Sequence, residues 1–354
     1  MKKLIFLCLS AALLMLALIS FTACKPSGST DKDIKTRQIS YVYFNTESLI
    51  SAYGEVSEEQ FESYVTAADE LLCYYHELFD IYYEYSGKSN LRTVNKNAGK
   101  APVKVDAELI DFLEYCKELF TLTKGKTNVM MGAVLRIWHK ERELWDTNPS
   151  LAGVPSDEEL RAALQHTDID SLVIDREAGT VYISDSEASL DVGAIGKGYA
   201  TEKLAERLKE MGADSVALNI GGNLRTLGKL PNGRDWKVGI TNPDRGNPDF
   251  PTKVSFGESS CVTSGNYERF YIVDGVSYHH IIDPDTLHPA NYFASVTVIT
   301  EDSGLADALS TALFCLDYTE GKALIDSLDV EVGVIYITDD GRVTHYGNVT
   351  VVTD

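Results

Sequence analysis

The spacing of apolar residues changes along the chain, and this change constrains the fold more than any other feature. Up to about residue 165 the apolar residues keep mostly helical spacing, as in Phe61–Tyr82, which follows a capping-box pattern at Ser57. From Leu172 onward, short apolar and β-branched runs alternate with turns, as strands do. No repeat or linker divides residues 38–354. We therefore expect an α+β fold, a single large unit of mixed or antiparallel sheet with packed helices.

These patterns predict the individual elements. Ile39–Phe44 is interpreted as a first strand. Helices are predicted from Ser57, from about Asp106 to Phe120, from Ser156, over Gly198–Met211 and over Leu305–Leu316. Later strands are predicted at Leu172–Ile174, Val181–Ile183, Val216–Ile220, Trp236–Ile240, Phe270–Val273, Val276–Ile282, Val334–Ile337 and Val343–Val351, with hairpin turns at Asp274-Gly275 and Asp340-Gly341.

The N-terminal segment has the features of an export signal. Lys2 and Lys3 precede an apolar run, Leu4–Ile19, and Phe21-Thr22-Ala23 leads directly into Cys24. This resembles a bacterial lipoprotein signal, in which the cysteine becomes lipidated; a plain secretory signal or a short membrane anchor is the alternative. We expect a signal peptide in residues 1–23, a lipidated Cys24 with a polar tether in residues 24–37, and a domain held at the extracytoplasmic face of the cell membrane.

Charge and cysteine content exclude some classes of protein. The 354 residues include 32 basic and 53 acidic side chains, a formal net charge of -21, and no basic stripe, so we expect no nucleic-acid partner. Beyond the signal and the anchor, four cysteines remain without metal-ligand spacing, and we expect buried thiols at Cys73, Cys116, Cys261 and Cys315.

Four segments depart from ordinary core patterning, and two of them are rich in glycine. In Leu190–Ala200 three glycines and Lys197 lie between a strand and a helix, where exposed backbone N–H groups suit a phosphate. Tight packing is the alternative, since the spacing matches neither the Walker loop nor the dinucleotide fingerprint. Asn219-Ile220-Gly221-Gly222-Asn223 indicates either a close approach of a ligand or a structural turn.

The other two segments carry ionisable groups. Thr263–Arg269 is followed by His279-His280-Ile281-Ile282-Asp283-Pro284, and His280 would share a strand face with Ile282. Histidine exchanges a proton near neutral pH, so His280 is a candidate base, with a structural role as the alternative. Asp307 and Thr311 lie one helical turn apart and could bind a hard cation, unless they serve only the helix itself.

In this order, these segments resemble the ApbE family of FAD:protein FMN transferases. The resemblance covers about residues 40–340, with Asn95, Pro102-Val103 and Trp138 also in the expected order. It implies an ApbE-like, T-fold-related architecture and an enzyme that binds FAD and a divalent ion, usually Mg²⁺. Such an enzyme transfers FMN to a Thr or Ser hydroxyl of an acceptor redox protein and releases AMP.

The resemblance also implies roles for individual residues. His280 would be the general base for the acceptor hydroxyl, and no Ser or Cys nucleophile is needed. The cation would be bound by Asp307, Thr311 and the backbone carbonyl of Ala194, with Ser310 beside them. FAD contacts are expected from Phe44, Tyr82, Lys126, Thr127, Asn128, Asp191, Lys197 and Ile282.

The sequence also departs from the family pattern. Gly125-Lys126-Thr127-Asn128-Val129-Met130 stands where the family usually has Gly-Ala-Phe-Asp-Pro-Thr, and Phe44 stands where it has Met. Two other functions remain open from the residues alone. One is hydrolysis of FAD to FMN and AMP, and the other is a tethered lipoprotein that binds a flavin without turnover.

Overall fold

An eight-stranded antiparallel sheet organises the chain in the structure, a computed structural model that describes residues 34–39 and 43–353. Each strand pairs antiparallel with its neighbour. From one edge to the other the strands are β1 (Ile34–Gln38), β2 (Ser48–Tyr53), β6 (Val216–Ile220), β7 (Asn223–Leu227), β10 (Ser260–Gly265), β13 (Ser295–Thr300), β14 (Gly333–Ile337) and β15 (Val343–Gly347).

Three small sheets accompany the large one. They are β3 (Val103–Lys104) with β5 (Thr180–Ile183) and β4 (Leu172–Asp175), the pair β8 (Trp236–Ile240) and β9 (Thr252–Phe256), and the hairpin β11 (Phe270–Val273) and β12 (Val276–His279). At the turn of the β11–β12 hairpin, Asp274 and Gly275 both have positive φ, 50° and 80°. This backbone geometry favours Asp-Gly, and the predicted hairpin is confirmed.

Most of the helices form where the spacing of apolar residues predicts them. They are α1 (Glu58–Phe79), α2 (Leu91–Lys96), α3 (Ala107–Leu122), α4 (Gly132–Thr147), α5 (Asp157–Leu164), α6 (Gly196–Glu210), α7 (Ser303–Phe314) and α8 (Tyr318–Ile325). Ser57 caps α1 by accepting the Gln60 N–H at 3.1 Å, whereas the Gln60 side chain donates to Tyr64 and leaves the capping box half formed. Asp80 accepts the N–H groups of Tyr82 and Tyr83, and α1 therefore ends before Tyr82.

Close packing of α6 on α7 brings two of the sequence motifs together. A methyl group on Gly198 of α6 would lie 2.3 Å from the Ser303 carbonyl oxygen and 2.5 Å from Cβ of Asp307. Only glycine fits at such an approach, since α7 also packs on β10 and β13. The tight-packing interpretation of this glycine therefore holds, and the packing also places Asp307 at the N-terminus of α6.

The α+β class, with an antiparallel sheet and packed helices, is confirmed, but two strand predictions are wrong. Of the predicted strand Ile39–Phe44, residues 40–42 lie outside the described residues, and its end is not extended: Tyr43–Asn45 forms a short 3₁₀ turn in which Phe44 and Asn45 have φ of 54° and 52°, which no extended strand allows. Strand β12 ends at His279, so His280 and Ile282 do not share a strand face. Among the cysteines, Cys116, Cys261 and Cys315 are buried free thiols as predicted, and Cys73 is half-buried.

Candidate active site

Asp307 is a buried carboxylate at which three of the four motifs meet. Its Oδ2 accepts the backbone N–H of Gly198 at 2.8 Å and the side-chain amide of Asn223 at 2.9 Å. The ammonium group of Lys197 lies 3.6 Å from the same oxygen. These two donors and one cation compensate for the removal of a carboxylate from water.

Each element around Asp307 has a local reason for its position. Gly221 and Gly222 form the turn between β6 and β7 with φ of 57° and 91°, and Asn223 follows as the first residue of β7. Helix α7 begins after Asp302, whose side chain accepts the Leu305 N–H and is itself bound by the Tyr115 hydroxyl at 2.8 Å. The role of Asn223 was not predicted, although it ends a motif that the sequence singles out.

The glycine-rich turn before α6 is fixed from both sides. The Asn95 side chain binds both backbone groups of Leu190, accepting its N–H at 2.7 Å and donating to its carbonyl at 3.0 Å. Next, the Asp191 carboxylate accepts the Gly193 N–H at 3.0 Å. This pairing holds half-buried Ala194 and Lys197 beside the N-terminus of α6.

The residues predicted to hold a cation fit that role by their chemistry. Asp307 Oδ1 receives no hydrogen bond from any described residue, and the Thr311 hydroxyl has only a 3.5 Å contact with Ser264. Carboxylate, hydroxyl and carbonyl oxygens are ligands that Mg²⁺ accepts. The Ser310 hydroxyl instead donates to the Asp307 carbonyl and contacts Ser264, at 2.9 and 2.8 Å.

The candidate cation site at Asp307 is not built from carboxylates alone. In the part of the chain that the structure describes, no three His, Cys, Asp or Glu residues converge as metal ligands. A cation here would therefore depend on one carboxylate, neutral oxygens and the phosphates of a ligand.

His280 and His279 have different environments. His279 is buried, with Nε2 2.7 Å from the Ala290 carbonyl and Nδ1 accepting the Ile281 N–H, so it supports the chain locally. Nδ1 of His280 is shielded from solvent and has no hydrogen-bond partner among the described residues. Burial, together with the charges of Arg269, His279, Lys197 and Arg142, lowers the pKa of His280 to about 3. Its imidazole is therefore neutral at pH 7 and can accept a proton.

Two arginines beside His280 were not predicted as functional. Neither Arg142 nor Arg269 forms an ion pair with a carboxylate of the described residues, and both act electrostatically on His280. Arg269 donates to the Phe44 carbonyl at 3.4 Å. Unpaired cations next to a neutral imidazole favour an anionic ligand. Arg269 ends the segment Thr263–Arg269, which departs from core patterning in the sequence. Arg142 lies on α4, a helix that the sequence pattern did not predict.

Phe44 and Tyr82 lie at the rim of this region. Phe44 keeps a left-handed backbone that is rare for a bulky side chain, and its N–H donates to His76 at 3.3 Å. Tyr82 is 53% exposed, and partial burial and the charge of Asp191 raise its pKa. An exposed aromatic ring beside Asp191 remains available to stack on a flat ligand.

Other predicted FAD contacts have their polar groups engaged within the protein. The ammonium group of Lys126 lies 2.8 Å from both Asp283 and Asp285; against the opposing effect of burial, these hydrogen bonds raise its pKa to about 12. Thr127 is buried and donates to the Ala308 carbonyl at 2.8 Å. Asn128 donates to the Thr167 carbonyl at 2.9 Å and accepts the Met130 N–H.

Ile282 is also turned toward the protein interior. Its side chain is buried in a cluster with Met131, Trp138 and Leu287. Among the predicted cation and phosphate residues, the structure brings Lys197 to Asp307, which shares a helix with Thr311, and Ala194 lies in the turn just before α6; Lys197 also acts electrostatically on His280. The cofactor roles of Lys126, Thr127, Asn128 and Ile282 stay predictions.

Comparison with known proteins agrees with this architecture. The ApbE family profile matches residues 44–335. The FAD:protein FMN transferase of Treponema pallidum is 35% identical over 271 residues, covering 72% of each chain, and that of Vibrio cholerae is 31% identical, covering 78% of this chain and 80% of the relative. The crystal structure of the ApbE protein from Thermotoga maritima has a TM-score of 0.75 at 26% identity, covering 88% of this chain and 96% of that one. The flavin transferase ApbE of Vibrio cholerae has a TM-score of 0.69 at 26% identity, with coverage of 89% and 97%.

The fold and its site thus define an enzyme of the transferase class. The chain belongs to the ApbE family.

Proposed function

We propose that this protein is an FAD:protein FMN transferase that moves FMN from FAD to a Thr or Ser hydroxyl of an acceptor protein and releases AMP. The names of its relatives support this proposal. The structural observation that carries it is the imidazole of His280, whose Nδ1 is shielded from solvent and has no hydrogen-bond partner among the described residues, while Lys197 acts on it electrostatically and lies 3.6 Å from the Asp307 carboxylate. A site that only captured a flavin would not need such a base.

The proposed reaction is a single displacement at phosphorus. The acceptor oxygen forms a bond to the FMN phosphorus, and the bond from that phosphorus to the AMP oxygen breaks. His280 takes the proton from the acceptor hydroxyl. In the free protein its lowered pKa keeps the ring unprotonated, and the negative charge of the bound pyrophosphate would raise that pKa toward the range in which a general base is effective. Lys197, Arg142 and Arg269 supply positive charge toward the anionic pyrophosphate.

We also propose that the reaction depends on Mg²⁺. When bound, Mg²⁺ would neutralise charge that develops on the bridging oxygen as AMP leaves. Asp307, Thr311 and the Ala194 carbonyl would hold the ion. The Ser310 hydroxyl supports this arrangement by binding the Asp307 carbonyl and the β10 residue Ser264.

The test uses FAD, Mg²⁺ and an acceptor domain with an Asp-x-x-Thr/Ser-Gly-Ala motif. We expect the acceptor to gain the mass of FMN minus water, with an equal amount of AMP by chromatography. AMP without acceptor modification would instead indicate FAD hydrolysis.

His280→Ala should retain FAD binding and lose transfer. His288 is a half-exposed histidine bound to Asp157, and His288→Ala should keep both FAD binding and transfer. Unchanged transfer by His280→Ala would refute the role of the base.

A lipid anchor at Cys24 is a further part of the proposal. Cys24 and the predicted signal peptide lie outside the described residues. None of the described helices combines the length and apolar composition needed to cross a bilayer. The lipobox-like sequence before Cys24 supports lipidation. Labelling with a palmitate analogue should mark the wild-type protein and not Cys24→Ser, which should leave the membrane fraction; equal labelling of both would contradict the anchor.

A further inference from the structure

The hairpin β11–β12 presents an exposed and uncharged surface beside the candidate base. Its two strands contain no Asp, Glu, Lys, Arg or Pro. On one face Tyr271 is buried, stacks on Tyr278 at 5.5 Å and packs near Trp138. On the other face Phe270 and Ile272 are 37% and 42% exposed. The hairpin is therefore attached to the protein through the face of Tyr271 and Tyr278. On the other face Phe270, Ile272 and Ser277 are exposed, whereas His279, opposite Phe270, is buried.

The backbone of β11 also has a free edge. The pairs Val273–Val276 and Tyr271–Tyr278 alternate with Ile272–Ser277, and the His280 N–H continues the ladder by donating to the Arg269 carbonyl at 3.0 Å. In this alternation the N–H and C=O groups of Phe270 and Ile272 point away from β12. No strand of the described residues pairs with that outer edge of β11, and no described backbone group bonds to it.

An unprotected edge of this kind needs a reason. Proteins usually protect exposed edge strands with Lys, Pro, bulges or inward charges, because an open edge pairs with other chains. This chain has 24% charged residues and places none of them in these strands. Arg269 directly precedes β11, and its carbonyl accepts the His280 N–H on the side of β12. A segment paired with the outer edge of β11 would lie on the other side of Arg269, two strand spacings or about 10 Å from the backbone of His280.

We propose that the outer edge of β11 docks the acceptor protein as an added strand. An extended segment of the acceptor hydrogen-bonds to Phe270 and Ile272, and its apolar side chains contact their exposed side chains. The hydroxyl to be modified would then follow this strand, in the part of the acceptor chain that continues past Arg269 to His280. The proposal rests on the transferase function and names the surface that selects its protein substrate.

The experiment separates acceptor binding from FAD binding. Ile272→Lys places a charge on the edge, and Ile272→Thr keeps β-branching but removes apolar surface. Val173→Lys is the matched control, because Val173 is 48% exposed on β4, also an edge strand, in another sheet. Acceptor KM is measured at saturating FAD with the acceptor domain described above, and FAD affinity is measured by flavin fluorescence.

We expect Ile272→Lys to raise acceptor KM by about tenfold or more, as the loss of one central contact does. Ile272→Thr should raise it less, and Val173→Lys should leave it unchanged, with equal FAD affinity in all variants. If the wild-type protein transfers FMN and Ile272→Lys keeps the KM of Val173→Lys, the docking proposal alone is overturned. If the wild-type protein modifies no acceptor, the transferase proposal is overturned as well. Loss of a wild-type dimer in Ile272→Lys without a change in KM would assign the edge to a second copy and overturn the proposal.

Discussion

Gly198→Ala tests whether the close approach of α6 to α7 builds the site. The new methyl group would lie 2.3 Å from the Ser303 carbonyl oxygen and 2.5 Å from Cβ of Asp307, so the helices must separate. Overpacking of this kind costs about 1–3 kcal/mol. Separation also lengthens the 2.8 Å bond from Gly198 N–H to the Asp307 carboxylate, which contributes about 1.5–3 kcal/mol. The better helix propensity of alanine offsets only about 0.5–1 kcal/mol of this loss of stability.

The expected net loss is about 2–5 kcal/mol in the free energy of unfolding. Gly196→Ala is the matched control, because it lies in the same helix and its methyl group would meet only side-chain carbons, of Phe79 at 3.2 Å and of Val192 at 3.5 Å. Urea unfolding followed by circular dichroism measures both variants. Gly198→Ala should also need more Mg²⁺ for half-maximal transfer, since Asp307 moves. Equal stability and equal Mg²⁺ response of the two variants would show that the helix contact does not shape the site.

Three further predictions concern single groups of the site. Asn223→Ala removes one of the donors to buried Asp307, so the free energy of unfolding, measured in urea, should fall by about 1–3 kcal/mol; a loss below that range would argue against this bond. Because His280 in the free enzyme has a pKa lowered to about 3, kcat/KM for FAD should not decline as the pH falls to 6.5. Arg142→Gln removes a positive charge that lowers this pKa, so any decline at acidic pH should move to higher pH. A decline of the wild-type kcat/KM near pH 6.5 would contradict a neutral, shielded imidazole. Asp307→Ala should lower activity at a fixed Mg²⁺ concentration and recover part of it when Mg²⁺ is raised, as titrations with MgCl₂ would show; a response identical to wild type would remove Asp307 from the cation site.

Local signals predicted much of the fold because they act over a few residues. Ser57 and Ser156 accept N–H groups three residues later, and Asp274-Gly275 adopts the positive φ values that a tight hairpin requires. The spacing of Asp307 and Thr311 likewise places them one turn apart on a single helix. For such features, the residues that determine the structure are adjacent in the sequence.

Other elements have weak local signals. Strand β13 was not predicted although Ser295–Val298 alternates polar and apolar residues, and because every position is buried this alternation does not mark an exposed face. Strand β10 carries small polar residues typical of loops, and α4 has a charged run at Lys140–Glu143 in its middle. The position of Arg142 beside His280 depends on α4, and therefore neither could be inferred from the pattern.

Contacts between distant segments were the least predictable. Asn223 and Gly198 reach Asp307 across 84 and 109 residues, and neither partner carries a sequence signal for the other. The motif order and the family resemblance placed these segments in one enzyme. The hydrogen bonds that join them became visible only in three dimensions.

The long separation of the Asp307 partners has a consequence for biogenesis. A nascent chain that has emerged only as far as Leu227 already contains Gly198 and β7, but it lacks the Asp307 carboxylate to which Gly198 and Asn223 donate. The centre is therefore assembled only after α7 has left the ribosome and docked on α6. Nucleotide captured at this centre would stabilise only the completed chain, so maturation and cofactor loading are coupled in time.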